Sequence, residues 1–559
     1  MNDELHPGSG FMPRPGPSER EHVGRRAALV SAGTGLSRLL GFIRDMLIAH
    51  FLGAGVMADI FLAVLRLPNI LRRLLTEGAV AMPFIPAYLG LVQAEGEARA
   101  NAFAKSVRAF ALWLSSLLCI LGLFFPLPML LAVAPGLADR LPALSGDQAF
   151  AEMLMRVSLL YVPPIVLSCV NSALLQSRGN YLAPALAPCI LNVCFILPLL
   201  GLLVVGQLEF FQHTPQAAHL AALALVWALP LAGVCQMLYL GGSLRRGGFN
   251  APEKARRLDK AVFNLGRILP SSLCVTASHQ IVLLIAVMAA SFLPEGYITQ
   301  VHFADQMVEL PLGLFGMALA AAVLPSFSAL AAPERRVELR EALAASLRLV
   351  LFVATPAAAG LFGLAFPLVD VLFGHGAFDQ AAVAGCSALL SGYALCLPAL
   401  AASRPLIAAV HALQRTRVAA LAALAAFAVT GLACAAVVWL SPVLPSAEVR
   451  SLALGLAVSL GAVAFMALLL RILALDNAAP ALQGLLKELS LPALLSLGIA
   501  VLCRTCATAF SAYPVWLIAI LVPGCVLAYA TVCIARKRPE AEFLLTLALS
   551  AIRRKKRGS

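Results

Sequence analysis

The chain has 559 residues, of which 61% are apolar and 12% charged, and its formal net charge is +13. A soluble protein is nearer half apolar and a quarter charged, so the composition excludes an ordinary soluble fold. The basic excess does not indicate a nucleic-acid partner, because the sequence has no segments that interleave basic and aromatic residues.

Apolar runs of about 20 residues or more, long enough to cross a bilayer, recur along the chain. We predict an all-α polytopic membrane protein with fourteen transmembrane helices. The predicted spans are 27–50, 60–90, 107–133, 153–176, 182–205, 217–242, 263–292, 300–330, 344–373, 382–412, 418–440, 449–475, 489–508 and 513–535.

The loops support this count, because Arg and Lys accumulate on cytoplasmic loops. Basic and non-basic loops alternate along the sequence, which places both termini in the cytoplasm. The richest loop, 243–262, separates six predicted helices from eight, and we interpret it as a cytoplasmic loop between two lobes. Residues 1–26 are rich in Pro, Gly and charge and predict a disordered cytoplasmic tail. Residues 536–559 form a basic cytoplasmic tail.

Several classes of chemistry have no support in the sequence. It contains no GxxxxGK[ST] motif, and no loop is long enough for a nucleotide-binding domain, so ATP hydrolysis is not expected. Cys503 and Cys506 form a CxxC outside the strand–helix context of redox proteins. We expect no metal, no cofactor and no enzymatic activity.

Prolines lie inside several predicted spans, where they favour kinks. The alternative is that proline is simply common in membrane helices. The prolines in question are Pro68, Pro83, Pro86, Pro163, Pro164, Pro311, Pro325 and Pro405.

Charged residues within the first two spans are the most informative feature. An arginine at bilayer depth costs ~2.5–3.5 kcal/mol and is retained when it faces a cavity or a substrate. Helical spacing places Arg38 and Asp45 on one face, with Arg44 about 100° away. The second span carries Asp59, Arg66, Arg72, Arg73 and Glu77.

Two interpretations of these charges remain open. For Arg38, Arg44 and Arg72 we favour contact with an anionic substrate, since a guanidinium donates bidentate hydrogen bonds to phosphate. For Asp45 and Asp59, as for Arg73 and Glu77, we favour a salt-bridge lattice that joins the first two helices.

Further candidates lie in later spans. Asp305 and Glu309 are one helical turn apart, and they are either cation ligands or partners for the arginines. Arg404 is a candidate for the cavity wall, whereas His411 is expected to be a satisfied core residue.

These residues lie in segments that resemble one known family. The segments SRLLGFIRDMLIAHFLGAGVMADIF and LRLPNILRRLLTEGAVAMPFIPAY are similar to the opening of MurJ (formerly MviN), the bacterial lipid II flippase family. Further similar blocks are LLQSRGNYLAPALAPCILN, FADQMVELPLGLFGMALAAAVLPSFS and LFGHGAFD, in family order. That family belongs to the multidrug/oligosaccharidyl-lipid/polysaccharide (MOP) exporter superfamily. Beyond about residue 415 only the hydropathy is similar.

The resemblance implies two six-helix lobes, 27–242 and 263–475, in a V around a central cationic cavity. It implies that helices 13 and 14, within 476–535, form a lipid-facing groove. It also implies export of an undecaprenyl-pyrophosphate-linked disaccharide peptide from the inner to the outer leaflet of the bacterial inner membrane, by a chain that functions as a monomer, close to cell wall synthesis enzymes.

The resemblance also implies residue roles. The pyrophosphate would be held by Arg38, Arg44 and Arg72, and Asp45 and Asp59 would orient them or act in gating. From their own positions we add Arg404 as a candidate pyrophosphate contact. The further candidates for orienting or gating are Glu77, Asp305, Gln306 and Glu309.

Two positions depart from the family pattern. Gln306 replaces an arginine, so one cavity charge is missing, although the amide can still hydrogen-bond a sugar or phosphate. The stretch around Arg415 lacks the usual Asp and Thr-Pro, which puts sodium coupling in doubt. Three alternatives stay open: a flippase for another polyprenyl-linked glycan, a cation-coupled drug extruder and a non-transporting scaffold.

Overall fold

The computed structural model describes residues 17–74, 81–140, 147–206, 215–249, 275 and 277–546, and these residues are almost entirely helical. Glu77, most of the predicted interlobe loop and the basic tail from 547 onward lie outside the described residues. The helices, in chain order, are α1 (Pro17–Leu52), α2 (Val56–Leu74), α3 (Ala81–Glu95), α4 (Glu97–Phe124), α5 (Pro126–Val133), α6 (Asp147–Leu159), α7 (Val162–Ser177), α8 (Leu182–Gly206), α9 (Pro215–Arg246), α10 (Ser278–Ala290), α11 (Tyr297–Ala329), α12 (Arg336–Gly363), α13 (Ala365–Phe373), α14 (Gln380–Ala394), α15 (Leu397–Ala412), α16 (Thr416–Leu440), α17 (Ala447–Leu475), α18 (Leu482–Ala509) and α19 (Pro514–Ala535).

Within the described residues, nine helices are long and apolar enough to cross a membrane, or ten if the bent pair Gln380–Ala394 and Leu397–Ala412 forms one span. The polytopic all-α class is therefore confirmed. The number fourteen stays a prediction.

Several predicted spans consist of two helices, and the position of proline explains where they divide. Pro126, Pro163 and Pro398 each lie in the first turn of the second helix, where a missing N–H costs nothing. Pro68 and Pro405, in contrast, lie inside α2 and α15. Both helices continue through their proline, and a kink at these two positions stays a prediction.

The helices pack in two groups. We call α1–α9 the N-lobe and α10–α17 the C-lobe. The extensive contacts between helices, such as α1 with α8 and α14 with α17, lie within these two groups. The lobes meet where α2 contacts α10 and α11, and where α1 contacts α13. Helix α18 packs against α12, and α19 packs against α13 and α18. The exact lobe boundaries and the lipid-facing groove stay predictions.

The last two helices leave large apolar side chains uncovered. Trp516 is 68% exposed and Leu494 67% exposed, values suited to a lipid-facing surface rather than to water. Cys503 of the CxxC lies 4.0 Å, sulfur to sulfur, from Cys525 of α19, and both thiols are free. The cysteine thus serves the packing of these helices, as a small apolar residue does.

The α14–α17 interface depends on two glycines that face each other. A Cβ added at Gly392 would lie 2.5 Å from the carbonyl oxygen of Leu452, and one added at Gly455 would collide with that of Leu389. Small residues allow membrane helices to approach this closely. The interface therefore has no room for a side chain at either position.

We predict that Gly392→Val lowers the free energy of unfolding by ~1–3 kcal/mol, the usual cost of overpacking, and therefore lowers the melting temperature. The measurement is the melting temperature of the detergent-purified protein by fluorescence-detected size exclusion. Gly431→Val is the matched control, because a Cβ at Gly431 meets nothing within 4 Å. Equal melting temperatures for the two variants would contradict this description of the interface.

Candidate functional site

Arg44 is held by a set of neighbours on the inner face of the N-lobe. Its Nε and Nη2 lie 2.9 and 2.8 Å from Oδ1 of Asp45, which is buried. Its Nη1 donates to Oδ1 of Asn192 on α8 at 3.0 Å, and the Asn192 amide donates to the carbonyl of Ser37 at 2.8 Å. These contacts fix the guanidinium plane while leaving N–H donors for a ligand, since arginine has five.

Charged side chains of α1 and α2 cross to α11 of the C-lobe. Arg73 forms a two-pronged ion pair with Glu309, in which Nη2 donates to Oε2 at 2.9 Å and Nη1 donates to Oε1. Arg38 donates to the backbone carbonyl of Glu309 at 3.1 Å. Arg38 can reach α11 because position 313 is glycine: a Cβ there would collide with the guanidinium. The lobes are therefore joined by one ion pair and one hydrogen bond from an arginine.

The second carboxylate of α11 is enclosed more deeply. Asp305 is buried and accepts a hydrogen bond from the hydroxyl of Tyr393 on α14 at 2.9 Å. The Nε2 atom of His279 on α10 lies 3.2 Å from Oδ1 of Asp305 and 3.7 Å from Oε1 of Glu309. Arg66 lies within electrostatic range of both carboxylates. Asp305 thus has partners on three helices.

Arg66 is the most deeply buried arginine of the described site, with 9% of its surface exposed. Its Nε and Nη2 atoms are buried without a hydrogen-bond partner. A buried charge without such partners is costly. Arg66 therefore adds positive potential and unpaired hydrogen-bond donors to the space between the lobes, and both favour binding of an anionic ligand.

Asp59 has a different role from the arginines. It is buried, and it accepts hydrogen bonds from the backbone N–H of Gly296 and of Thr299, at 2.7 and 2.9 Å, and from the Thr299 hydroxyl at 2.8 Å. These donors lie at the start of α11, where a carboxylate complements the helix dipole. Asp59 therefore ties the N-terminal end of α2 to the N-terminal end of α11.

Close backbone contacts surround this bond. Ala377 donates from its N–H to the carbonyl of His50 at 2.8 Å, and Gly136 donates to the hydroxyl of Ser291 at 2.9 Å. Gly296 has a φ of +88° and packs on the carbonyl of Ala54. We call these contacts the outer seal; its segments are 50–59, 136, 291–299 and 376–378. All of them lie on the side that the loop charges predict to face outward.

These contacts bear on two interpretations of the charges. The lattice between the first two helices is wrong for Asp59, because its carboxylate bonds to the start of α11. Arg73 bridges to Glu309 of α11, and its place in the lattice stays a prediction. A sequence cannot show this, since helical spacing gives the face of a helix but not the neighbour it meets. Glu309 pairs with Arg73, one of the two roles left open, whereas Asp305 accepts from Tyr393 and lies within electrostatic range of Arg66 and Arg73.

The remaining predicted residues are placed as follows. Arg72 is half-buried, next to Arg73 but about 100° around the helix. Gln306 is half-buried on α11, and Arg404 is exposed on α15. Sequence reasoning missed His279, Asn192 and Tyr393, because single polar residues in apolar helices gave no recognisable spacing.

A metal ion is a further possibility for this cluster, because ligand atoms of His279, Asp305 and Glu309 lie within 4.8 Å of one another. However, Arg73 already donates to both oxygens of Glu309, and Arg66 adds a second positive charge. Glu309 is therefore already paired, and the expectation that this cluster holds no metal stays a prediction.

A helical bundle of two lobes with an arginine-rich site between them defines a polytopic membrane protein with a charged interior. Solved structures share this fold: a multidrug resistance MATE family transporter of the MOP superfamily superimposes with a TM-score of 0.56 at 15% identity, over 79% of this chain and 96% of that one. A structure described as lipid II flippase MurJ, inward closed conformation, superimposes with a TM-score of 0.72 at 21% identity, over 91% of this chain and 99% of that one.

The sequence comparisons identify the family. The family model described as Lipid II flippase MurJ matches residues 48–527. The probable lipid II flippase MurJ of Bdellovibrio bacteriovorus is 30% identical over 420 residues, 74% of this chain and 76% of that protein. The lipid II flippase MurJ of Burkholderia cenocepacia is 30% identical over 379 residues, 66% of this chain and 70% of that protein. The chain belongs to the MurJ family.

Proposed function

We propose that this chain is a lipid II flippase: it moves the undecaprenyl-pyrophosphate-linked peptidoglycan precursor from the inner to the outer leaflet for cell wall synthesis. Family membership supports the substrate, since the relatives are named lipid II flippases. The observation that carries the proposal is the arginine set between the lobes. It is a transporter and not an enzyme, and it acts in the bacterial inner membrane.

The arginine set suits a pyrophosphate diester. The ligand carries about two negative charges and offers several acceptor oxygens, which guanidinium groups bind through parallel N–H bonds. Arg38, Arg44 and Arg66 approach the interlobe space from two helices of the N-lobe, and Arg73 adds a fourth charge. Arg72 and Arg404 are proposed as further contacts for the head group. Gln306 would hydrogen-bond the ligand without adding charge.

Alternating access is the proposed mechanism. In this state the outer seal is closed, and the proposed cycle has the anion site open to the predicted cytoplasmic side before the seal opens. Opening of the seal requires that Asp59 leave Gly296 and Thr299, which gives Asp59 a gating role, while Asp45 orients Arg44. Both termini are proposed to be cytoplasmic, and the chain is proposed to work as a monomer near cell wall synthesis enzymes.

The membrane potential favours export. Each negative charge that moves outward gains ~2.3 kcal/mol per 100 mV when the inside is negative. In the loaded state the arginines offset this charge, so the potential acts mainly on the empty, positive site and returns it to face inward. If dissipating the potential leaves the transport rate of the purified protein unchanged, this coupling is wrong.

The experiment that tests the proposed function is growth rescue. A bacterium depleted of its own lipid II flippase is complemented with this chain, and its level in the membrane is measured. We expect growth and normal cell shape. A well-expressed chain that does not rescue would contradict lipid II as the substrate and favour another polyprenyl-linked glycan or a scaffold role.

A further inference from the structure

Three arginines lie together at the end of the N-lobe that the loop charges predict to be cytoplasmic. The Cζ atoms of Arg108, on α4, and of Arg178, directly after α7, each lie 5.8 Å from the centroid of the Phe249 ring. Arg245, in the last turn of α9, lies within electrostatic range of Arg108. We call Arg108, Arg178 and Arg245 the guanidinium cluster. It brings together positive charges from three parts of the chain that are far apart in sequence.

The aromatic ring beside these arginines is fixed by the apolar core of the N-lobe. Phe249 is buried and packs in one group of apolar side chains with Phe103 of α4 and Leu244 of α9. Its backbone N–H donates to the carbonyl oxygen of Leu244 at 3.1 Å. The face of an aromatic ring attracts a guanidinium group. A buried side chain therefore sets the positions of Arg108 and Arg178, unlike those of arginines that extend freely into water.

The positive charges of the guanidinium cluster are not neutralised by their neighbours. Among the described residues, one carboxylate forms an ion pair with the cluster: Oε2 of Glu97 is 3.8 Å from Nη2 of Arg178, beyond hydrogen-bonding distance, and the Glu97 side chain is 71% exposed. Nε of Arg108 and Nη1 of Arg178 are buried without a hydrogen-bond partner. Like charges repel, and buried donors without partners cost free energy. A bound anion would offset the repulsion and accept hydrogen bonds from the guanidinium groups.

The neighbouring surface of α4 is suited to contact with lipid. Trp113, Leu114 and Leu117 of this helix are 62%, 50% and 41% exposed. Tryptophan is enriched where the bilayer meets water, at the level of the lipid head groups. Trp113 follows Arg108 by five residues, which is about 7.5 Å along the helix axis. The guanidinium cluster therefore lies close to the depth of the head groups, beside an apolar surface that acyl chains can cover.

We propose that the guanidinium cluster binds the phosphate of an anionic phospholipid of the inner leaflet, whose acyl chains lie along α4. Guanidinium groups donate paired hydrogen bonds to phosphate oxygens. Basic pockets between membrane helices on the cytoplasmic side suit anionic head groups. The arginines of the site between the lobes lie on helices other than α4, α7 and α9. The inference therefore goes beyond the proposed function and does not depend on lipid II as the substrate.

The test is a lipid titration of the purified, delipidated full-length protein in detergent, followed by native mass spectrometry. The probes are phosphatidylglycerol, phosphatidylcholine and inorganic phosphate. We expect the first phosphatidylglycerol to bind at least ~10-fold more tightly than phosphatidylcholine, whose choline group cancels the phosphate charge. Inorganic phosphate at the same concentration should not displace it, because it has no acyl chains to bury. Equal affinity for the two lipids, or displacement by inorganic phosphate, overturns the lipid site.

Three variants and one control locate the bound lipid. Arg108→Gln and Arg178→Gln are each expected to weaken phosphatidylglycerol binding by at least ~5-fold, because each removes one charge that faces the phosphate. Phe249→Leu keeps every charge and should weaken binding by ~2- to 5-fold, because the ring no longer holds the guanidinium groups. The control, Arg417→Gln, removes an exposed arginine of α16 and should leave the affinity unchanged.

Two results with these variants would overturn the lipid site. Wild-type affinity in both Arg108→Gln and Arg178→Gln would show that the lipid binds elsewhere. An equal loss in Arg417→Gln would show that the net charge of the protein, and not the guanidinium cluster, attracts the lipid. Both results leave the proposed function intact, since the growth rescue tests that function independently.

Discussion

Replacing Arg44 by alanine is expected to abolish growth rescue and to weaken lipid II binding by at least ~30-fold, which corresponds to ~2 kcal/mol. Arg44 contributes a charge and two-pronged donors, and its removal also leaves the buried Asp45 without its partner. The measurements are growth of the depleted strain and the affinity of the purified variant for lipid II in nanodiscs.

Two further variants distinguish loss of the anion-binding site from loss of the folded structure. Arg44→Lys keeps the charge but cannot bond Asp45 and Asn192 together, so we expect partial binding and partial rescue. Arg417→Ala removes an exposed arginine outside the site and should behave as wild type. Wild-type binding by a folded Arg44→Ala protein would show that the anion lies elsewhere.

Replacing Asp59 by alanine is expected to open the outer seal and to abolish rescue. Three donors of Gly296 and Thr299 lose a charged acceptor, and each such bond contributes ~1.5–3 kcal/mol. The measurement is labelling of Ser291→Cys by a membrane-impermeant maleimide added from outside, because Ser291 is fully buried in the seal. The loss of even one such bond shifts the equilibrium between the closed and the open seal toward the open form by at least ~10-fold. We therefore expect the labelling rate to rise by at least ~10-fold.

Asp59→Asn serves as the graded variant. Its amide oxygen can still accept from α11 without the charge, so labelling should be intermediate. The chain without the added cysteine gives the background from native thiols. If labelling of the Asp59→Ala protein equals that of the parent, the bond between α2 and α11 does not hold the seal closed.

That the chain is a polytopic membrane protein with arginines inside its first two spans could be predicted from the sequence. Both properties depend on residues that are close together along the chain. Apolar runs of spanning length and arginines at bilayer depth are rare in combination, and each has a direct physical meaning. The alternation of basic loops likewise anticipated that segments 50–59, 136, 291–299 and 376–378 share one side of the protein. These properties need no knowledge of which helices touch.

The partners of the charges could not be predicted, because they depend on how helices face each other. Arg72 and Arg73 are neighbours in sequence, and only the packing of α2 against α11 brings Arg73 to Glu309. Asn192, Tyr393 and His279 are isolated polar residues whose importance appears only when the bundle places them beside a charge. Gly313 matters for the same reason, since it makes room for Arg38.

The most direct measurement is lipid II translocation by the purified protein in vesicles with an inside-negative potential, with wild type and Arg44→Ala reconstituted at equal density. We predict that the wild type moves lipid II to the outer leaflet and that the variant does not exceed protein-free vesicles. Translocation by Arg44→Ala at the wild-type rate would contradict the conclusion that the arginines between the lobes carry the pyrophosphate.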